Sequence, residues 1–207
     1  MRNKEYGIAL NWNYVILSLV VITIMTLLVL YMPGVRDFDY NLLRAIRNFL
    51  FAYPSYVPVF ISDFGMHYYL AWPQIAAVSV LVSHKYYTKA FLIVFFTQAS
   101  FVLVDLIKGF VCRQRPLGTR DIGYSFPSGH ATSEMCFYGI VIYLVATYVK
   151  NDFWRKFLIM LFGLWIFLVG ISRMWVLAHF PIDVITGFFL GFLLVNLFII
   201  VSRWLSR

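Results

Sequence analysis

The sequence predicts an all-α polytopic membrane protein: six transmembrane helices in one bundle, with a short amphipathic helix lying in the interface. Three observations carry that prediction. Hydrophobic residues make up 62% of the 207 positions and charged residues only 13%, where a soluble domain carries about a quarter charged. Mean hydropathy is +0.80. The apolar residues also fall in long, nearly uncharged runs, as bilayer-crossing helices of about 20 residues require.

The first run, Tyr14–Tyr31, follows the basic Arg2 and Lys4, as a secretory signal core would. It is longer than such a core and no small-residue cleavage site follows, so a retained first span is expected. Next, DYNLLRAIRNFLFAYP, from Asp39, sets Leu42, Leu43, Ile46, Phe49 and Leu50 at helical spacing with Arg44, Arg47 and Asn48 between them. That is the pattern of an interfacial amphipathic helix, and equally of a connector packed on the bundle. The remaining spans are Met66–Val82, which contains Pro73, then Ala90–Ile107, Ala131–Val149, Phe157–Ile171 and Ile182–Trp204. Of these, Phe157–Ile171 is short unless it runs on towards Val176. No repeat, low-complexity tract or linker divides the chain, so residues 1–207 are expected to form one domain.

Six spans place both termini on one side of the membrane. With cytoplasmic termini, nine loop cations between Arg2 and Arg207 lie inside and eight, including Arg120, lie outside, a balance that decides nothing by the positive-inside rule. The net charge of +8 is scattered among apolar segments without a basic stripe, so nucleic acid is not an expected partner. Cys112 and Cys136 have neither CxxC nor paired spacing, which argues against a disulfide framework or a zinc site.

Three motifs carry the chemistry. KGFVCRQRP closes the third span with Lys108, Arg115 and Pro116. PSGH, from Pro127 to His130, opens the fourth. SRMWVLAHFPID places Ser172 and Arg173 at the end of the fifth span and His179 and Asp183 at the start of the sixth. Because helices alternate direction through a bilayer, all of these residues must share one face. Lys108, Arg115 and Arg173 then form a cluster of cations suited to a phosphate dianion, with Arg presenting a planar fork to its oxygens. The N-termini of spans four and six add free amides and the positive dipole end, and Gly129 allows close backbone approach. Pro181 suits the first helical position, so Asp183 falls in the first turn and can accept a hydrogen bond from one nitrogen of His179. The other nitrogen is left free to act as a nucleophile, and His130 is placed to protonate the leaving oxygen. Asp183 is the only carboxylate within the three motifs, so neither a metal cage nor another cofactor is expected.

In order and spacing these residues resemble the type 2 phosphatidic acid phosphatase family of membrane lipid phosphate phosphatases, including its bacterial undecaprenyl-diphosphatase and phosphatidylglycerophosphatase-like members. The resemblance implies metal-independent dephosphorylation of a lipid phosphate through a phosphohistidine. His179 is then the nucleophile, Asp183 its orienting partner and His130 the acid. Lys108, Arg115, Ser128, Gly129, Ser172 and Arg173 become the phosphate ligands. Setting aside Lys108, Arg115 and Arg173 as chemical leaves nine loop cations inside and five outside, which puts the termini in the cytoplasm and the site on the extracytoplasmic face of the cell (inner) membrane.

Two carboxylates within spans stand out, since an intramembrane acid is a functional hypothesis by default. Asp105 lies three residues before Lys108 on one helix face, and Glu134 four after His130, so each is a candidate to support its neighbour. His67 and His84 are read as interfacial. An anion channel would need polar residues through the membrane depth, whereas here they collect at one end. Transfer to an acceptor lipid instead of water keeps the same chemistry. Of the lipids that fit, undecaprenyl diphosphate is the first choice, ahead of phosphatidylglycerol phosphate, phosphatidic acid and a lipid A phosphate.

Overall fold

Backbone groups in hydrocarbon must be satisfied within their own segment, so the long apolar runs have little alternative to the helix. The computed structural model describes residues 2–50, 56–64, 67–119 and 121–205, with side chains from Asn11 onward except Leu50, Phe64, His67 and Tyr68. Met66, Arg120 and Arg207, and the side chains of Arg2, Lys4, Leu50 and His67, therefore lie outside the described residues. Among those described the regular structure is helical: α1 (Arg2–Tyr31), α2 (Val35–Leu50), α3 (Tyr56–Phe64), α4 (His67–Ser83), α5 (Tyr87–Val111), α6 (Gly129–Tyr148), α7 (Asp152–Trp175) and α8 (Pro181–Trp204).

Among the described residues five helices are long and apolar enough to cross a membrane: α1 over Asn11–Tyr31, and α5, α6, α7 and α8 over their full lengths. The span read as Phe157–Ile171 is longer at both ends in α7. Its N-terminus is capped by the Asn151 side chain, which accepts from the Trp154 N–H at 3.1 Å. The expected span Met66–Val82 is helix α4, but its apolar part, Tyr69–Ser83, is shorter than the other five.

The amphipathic segment folds as α2, starting earlier than its apolar pattern indicates. Leu43 is fully buried while Phe38 and Phe49 face outward. Leu43 packs with Met174, Phe180 and Val184, so α2 lies across the ends of α7 and α8. Helix α3, which the hydrophobic pattern did not announce, packs on α7. Its Pro58 falls in the first turn, where the missing N–H costs no helical bond.

The central pair is α6 and α8. Gly187 and Gly191, one turn apart on α8, let the two backbones meet. A Cβ on Gly187 would stand 2.7 Å from the Ser128 carbonyl oxygen, and one on Gly191 2.6 Å from that of Thr132. Helix α1 lies along α8, with Asn11 donating to Asn196 at 2.9 Å and Arg203 donating to Asn11 at 3.1 Å. At the other end of α1, Met25, Val29 and Leu30 pack around Val111, Phe126 and Ile182.

Candidate active site

Four chain segments build the site at one end of the bundle. Helix α5 stops at Val111 because Cys112 turns left-handed (φ 51°) and its N–H caps the Lys108 carbonyl at 2.9 Å. Lys108 is thereby left in the last turn, and Arg113 to Arg115 run off across the bundle end. Helix α6 starts behind Ser128, whose Oγ accepts from the Ala131 N–H at 3.4 Å. After α7 the chain folds back: the N–H groups of Ala178 and His179 both donate to the Arg173 carbonyl, at 3.0 and 3.2 Å. His179 is so seated on the end of α7. Helix α8 then opens with Pro181, and Asp183 Oδ2 accepts from the Phe180 N–H at 2.9 Å.

These segments enclose a cavity of about 170 Å³ lined by Lys108, Arg115, Gly129, His130, Arg173 and His179, together with Asp105, Asp121, Phe101 and Val104. His179 is fully buried. Its Nδ1 faces Asp183 Oδ2 at 3.7 Å, an ion-pair separation longer than a formed hydrogen bond. Its Nε2 faces Arg115 Nη1 at 3.4 Å. A guanidinium has only donors, so Nε2 carries the lone pair and the proton sits on Nδ1, towards Asp183. Burial pushes the His179 pKa down to about 4, with Asp183 opposing and Arg173 and Arg115 adding to the fall, so the ring is neutral at physiological pH.

Arg115 is held at three points of its fork. Nη1 donates to the Ala178 carbonyl at 2.7 Å, Nε to that of Gly123 at 3.1 Å, and Nη2 to that of Ile122 at 3.2 Å. Burial lowers its pKa, and Asp121 and Asp183 oppose that shift. Arg173, also buried, donates to Ser62 Oγ of α3 and to Asp121 Oδ2. Asp121 is 3.4 Å from Arg115 as well, so its carboxylate lies between the two arginines within the cavity.

Several expected site residues are placed elsewhere. Ser128 uses its hydroxyl as the α6 cap and its N–H on the Asp183 carbonyl, at 3.0 Å, so neither is directed at the cavity. The Ser172 hydroxyl donates to the Val169 carbonyl at 2.7 Å. Both serines are buried and absent from the cavity wall. The start of α8 is not an open anion site, because its first amides are taken by Asp183, at Phe180, and by Asp39, at Ile182. The N-terminus of α6 opens onto the cavity through Gly129 and His130. Glu134 Oε2 accepts from the Trp165 indole at 2.8 Å, and the residue lines a separate apolar cavity with Tyr69, Trp72 and Tyr138. Asp105 does line the phosphate-sized cavity, though no salt bridge joins it to Lys108 among the described residues.

Three residues were missed by the motif reading. Arg113 lies inside the first motif, where its position was left unspecified. Nη1 bonds Asp183 Oδ1 at 2.6 Å and Nη2 bonds Asp39 Oδ2 at 2.8 Å. Asp39 stands at the edge of the amphipathic pattern, and Asp121 belongs to none of the motifs. The one signal available for Asp39 was an acid at the i−4 position of Leu43, on the inward face of its helix.

The PAP2 superfamily model matches residues 87–207, more than half of the chain and all of the segments that build this site. The chain is 34% identical over 97 residues to phosphatidylglycerophosphatase B of Bacillus subtilis, a stretch that covers 45% of this chain and 48% of that protein. The match thus spans about half the length of that curated relative. The crystal structure of a transmembrane PAP2-type phosphatidylglycerolphosphate phosphatase from Bacillus subtilis superposes with a TM-score of 0.80 at 22% identity, covering 95% of this chain and 98% of that one. Aquifex aeolicus LpxE gives 0.56 at 22% identity, covering 77% and 93%. At such identities the structural likeness is one of fold. The matched region holds every motif from Lys108 to Asp183, and this chain belongs to the PAP2 superfamily.

Proposed function

We propose that this protein is an integral membrane phosphatase that hydrolyses a lipid phosphate through a phosphohistidine on His179. The observation that carries the reading is the convergence of three cations and two histidines on one cavity, at the end of a bundle of membrane-length helices. Lys108, Arg115, Arg173 and the first amides of α6 hold the non-bridging oxygens. The Nε2 lone pair of His179 attacks phosphorus, the bond to the lipid oxygen breaks, and His130 gives that oxygen its proton. Asp183 stabilises the positive ring that results. Water then loses a proton to His130 and attacks phosphorus, the N–P bond breaks, and inorganic phosphate leaves. No metal or other cofactor takes part in this sequence. Because His179 is neutral down to about pH 4, it imposes no acid limb on kcat/KM above that range.

The name of the curated Bacillus subtilis relative favours phosphatidylglycerophosphate as the substrate to offer first, ahead of the undecaprenyl diphosphate that the motifs alone suggested. Six crossings, with α4 as the short one, both termini cytoplasmic and the site extracytoplasmic in the inner membrane, complete the proposal. It is supported by α1 and α8 being joined near Asn11 and Arg203, away from the site.

The test is phosphate release by detergent-purified protein in EDTA, from phosphatidylglycerophosphate, undecaprenyl diphosphate, phosphatidic acid and a lipid A phosphate, with His179→Ala as blank. Release from at least one lipid by the wild type and none by folded His179→Ala is expected. Folded wild type that releases nothing, or active His179→Ala, overturns the reading.

A further inference from the structure

Asp39 is a fully buried carboxylate that belongs to none of the three motifs, and both of its oxygens are engaged. Oδ1 accepts from the Ile182 N–H at 3.1 Å, in the first turn of α8. Oδ2 accepts from Arg113 Nη2 at 2.8 Å. The other fork nitrogen, Nη1, reaches Asp183 Oδ1 at 2.6 Å, and Asp183 Oδ2 is the atom that faces His179. The Arg113 guanidinium also lies 4.3 Å over the Phe180 ring, which fixes its plane. A continuous line therefore runs from α2 through Arg113 and Asp183 to the imidazole.

We propose that Asp39 is a positioning residue for His179, acting through Arg113. A guanidinium beside one carboxylate tends to bond it bidentately, with two parallel N–H groups on its two oxygens. Such a pairing would draw Asp183 Oδ2 away from His179. Asp39 occupies Nη2, so Arg113 engages Asp183 through Nη1 alone and Oδ2, held by the Phe180 N–H, stays facing the imidazole. Charge follows the same logic. Arg113 with Asp183 alone is neutral, whereas two carboxylates on one guanidinium leave a net negative charge beside Nδ1, where the phosphorylated ring becomes positive.

The kinetic half of this proposal rests on His179 being the nucleophile; the alignment half does not, and the experiment separates them. In full-length protein Asp39→Asn should lower kcat about 10- to 100-fold, as misalignment of a reacting group does, with KM within about threefold because the cavity cations are untouched. Arg113→Lys keeps the charge but loses the fork, and should reproduce the loss. Combining the two should cost little more than either alone. Protein labelled with 15N at its four histidines supplies a readout independent of turnover. His179 should show an Nδ1-protonated ring in the wild type and a mixture of tautomers in Asp39→Asn. Unchanged kcat in folded Asp39→Asn, additive losses, or a loss with unaltered His179 shifts overturns the proposal. So does failure of both single variants to fold, which would make Asp39 a stability residue only. If the wild type hydrolyses none of the four lipids, the functional reading fails and the nitrogen shifts alone decide this one.

Discussion

At the scale of the residue, the site is a set of cations held ready by carbonyls and carboxylates. Asp121 is the clearest case. Its carboxylate rests between Arg115 and Arg173, where the reading of function seats a phosphate. A substrate must displace it, so Asp121→Asn should lower KM and the inhibition constant of inorganic phosphate, by about 3- to 10-fold for one partly exposed charge pair. Steady-state kinetics with phosphate as inhibitor checks this, and a raised KM would instead make Asp121 a ligand-organising residue. The histidines and cations were legible because their spacing is fixed by chemistry. The serines were legible as letters but not as contacts: a hydroxyl at a helix end has backbone groups within reach, and Ser128 and Ser172 satisfy those first.

Elements decide how tightly the two histidines are registered. His130 rides on α6 and His179 precedes α8, and the separation of the two helices is set where Gly187 meets Ser128. The Ser128 N–H on the Asp183 carbonyl, at 3.0 Å, ties the two N-termini at the same point. Gly187→Ala would place a methyl 2.7 Å from a backbone oxygen and 2.9 Å from the Ala131 Cβ, neither of which can swing aside. It should destabilise by about 1–3 kcal/mol, the usual range for overpacking, and lower kcat together with the thermal midpoint. Thermal unfolding in detergent read beside turnover would test this; a folded, fully active Gly187→Ala would show that α6 and α8 can separate without cost. Helix boundaries were partly readable. α7 outruns its apolar core because Asn151 caps it and Arg173 occupies its last turn, and hydropathy registers neither. α3 was missed because nine residues give no period long enough to recognise.

For the whole molecule the point to test is which side of the membrane the site end of the bundle faces. The start of α2 lies at the same end of the bundle as Cys112, since Val35 packs in one cluster with Val111 and Asp39 bonds Arg113, and Cys112 is exposed near the site. An impermeant thiol reagent applied to intact cells should then label both Cys112 and an Arg36→Cys substitution from outside. Labelling of neither would reverse the orientation, and labelling of one alone would contradict the packing of α2 beside the end of α5. By itself the sequence determined the helical membrane class, the long spans and the convergence of Lys108, Arg115, His130, Arg173 and His179 at one end, because hydropathy and alternating direction act along the chain. Only the tertiary structure decided what the remaining polar atoms do. Glu134 went to Trp165, the serines to their own helices, the start of α8 to two carboxylates, and Asp39 to Arg113. The reason is that a buried donor or acceptor must find a partner, and several of the nearest ones come from distant parts of the chain.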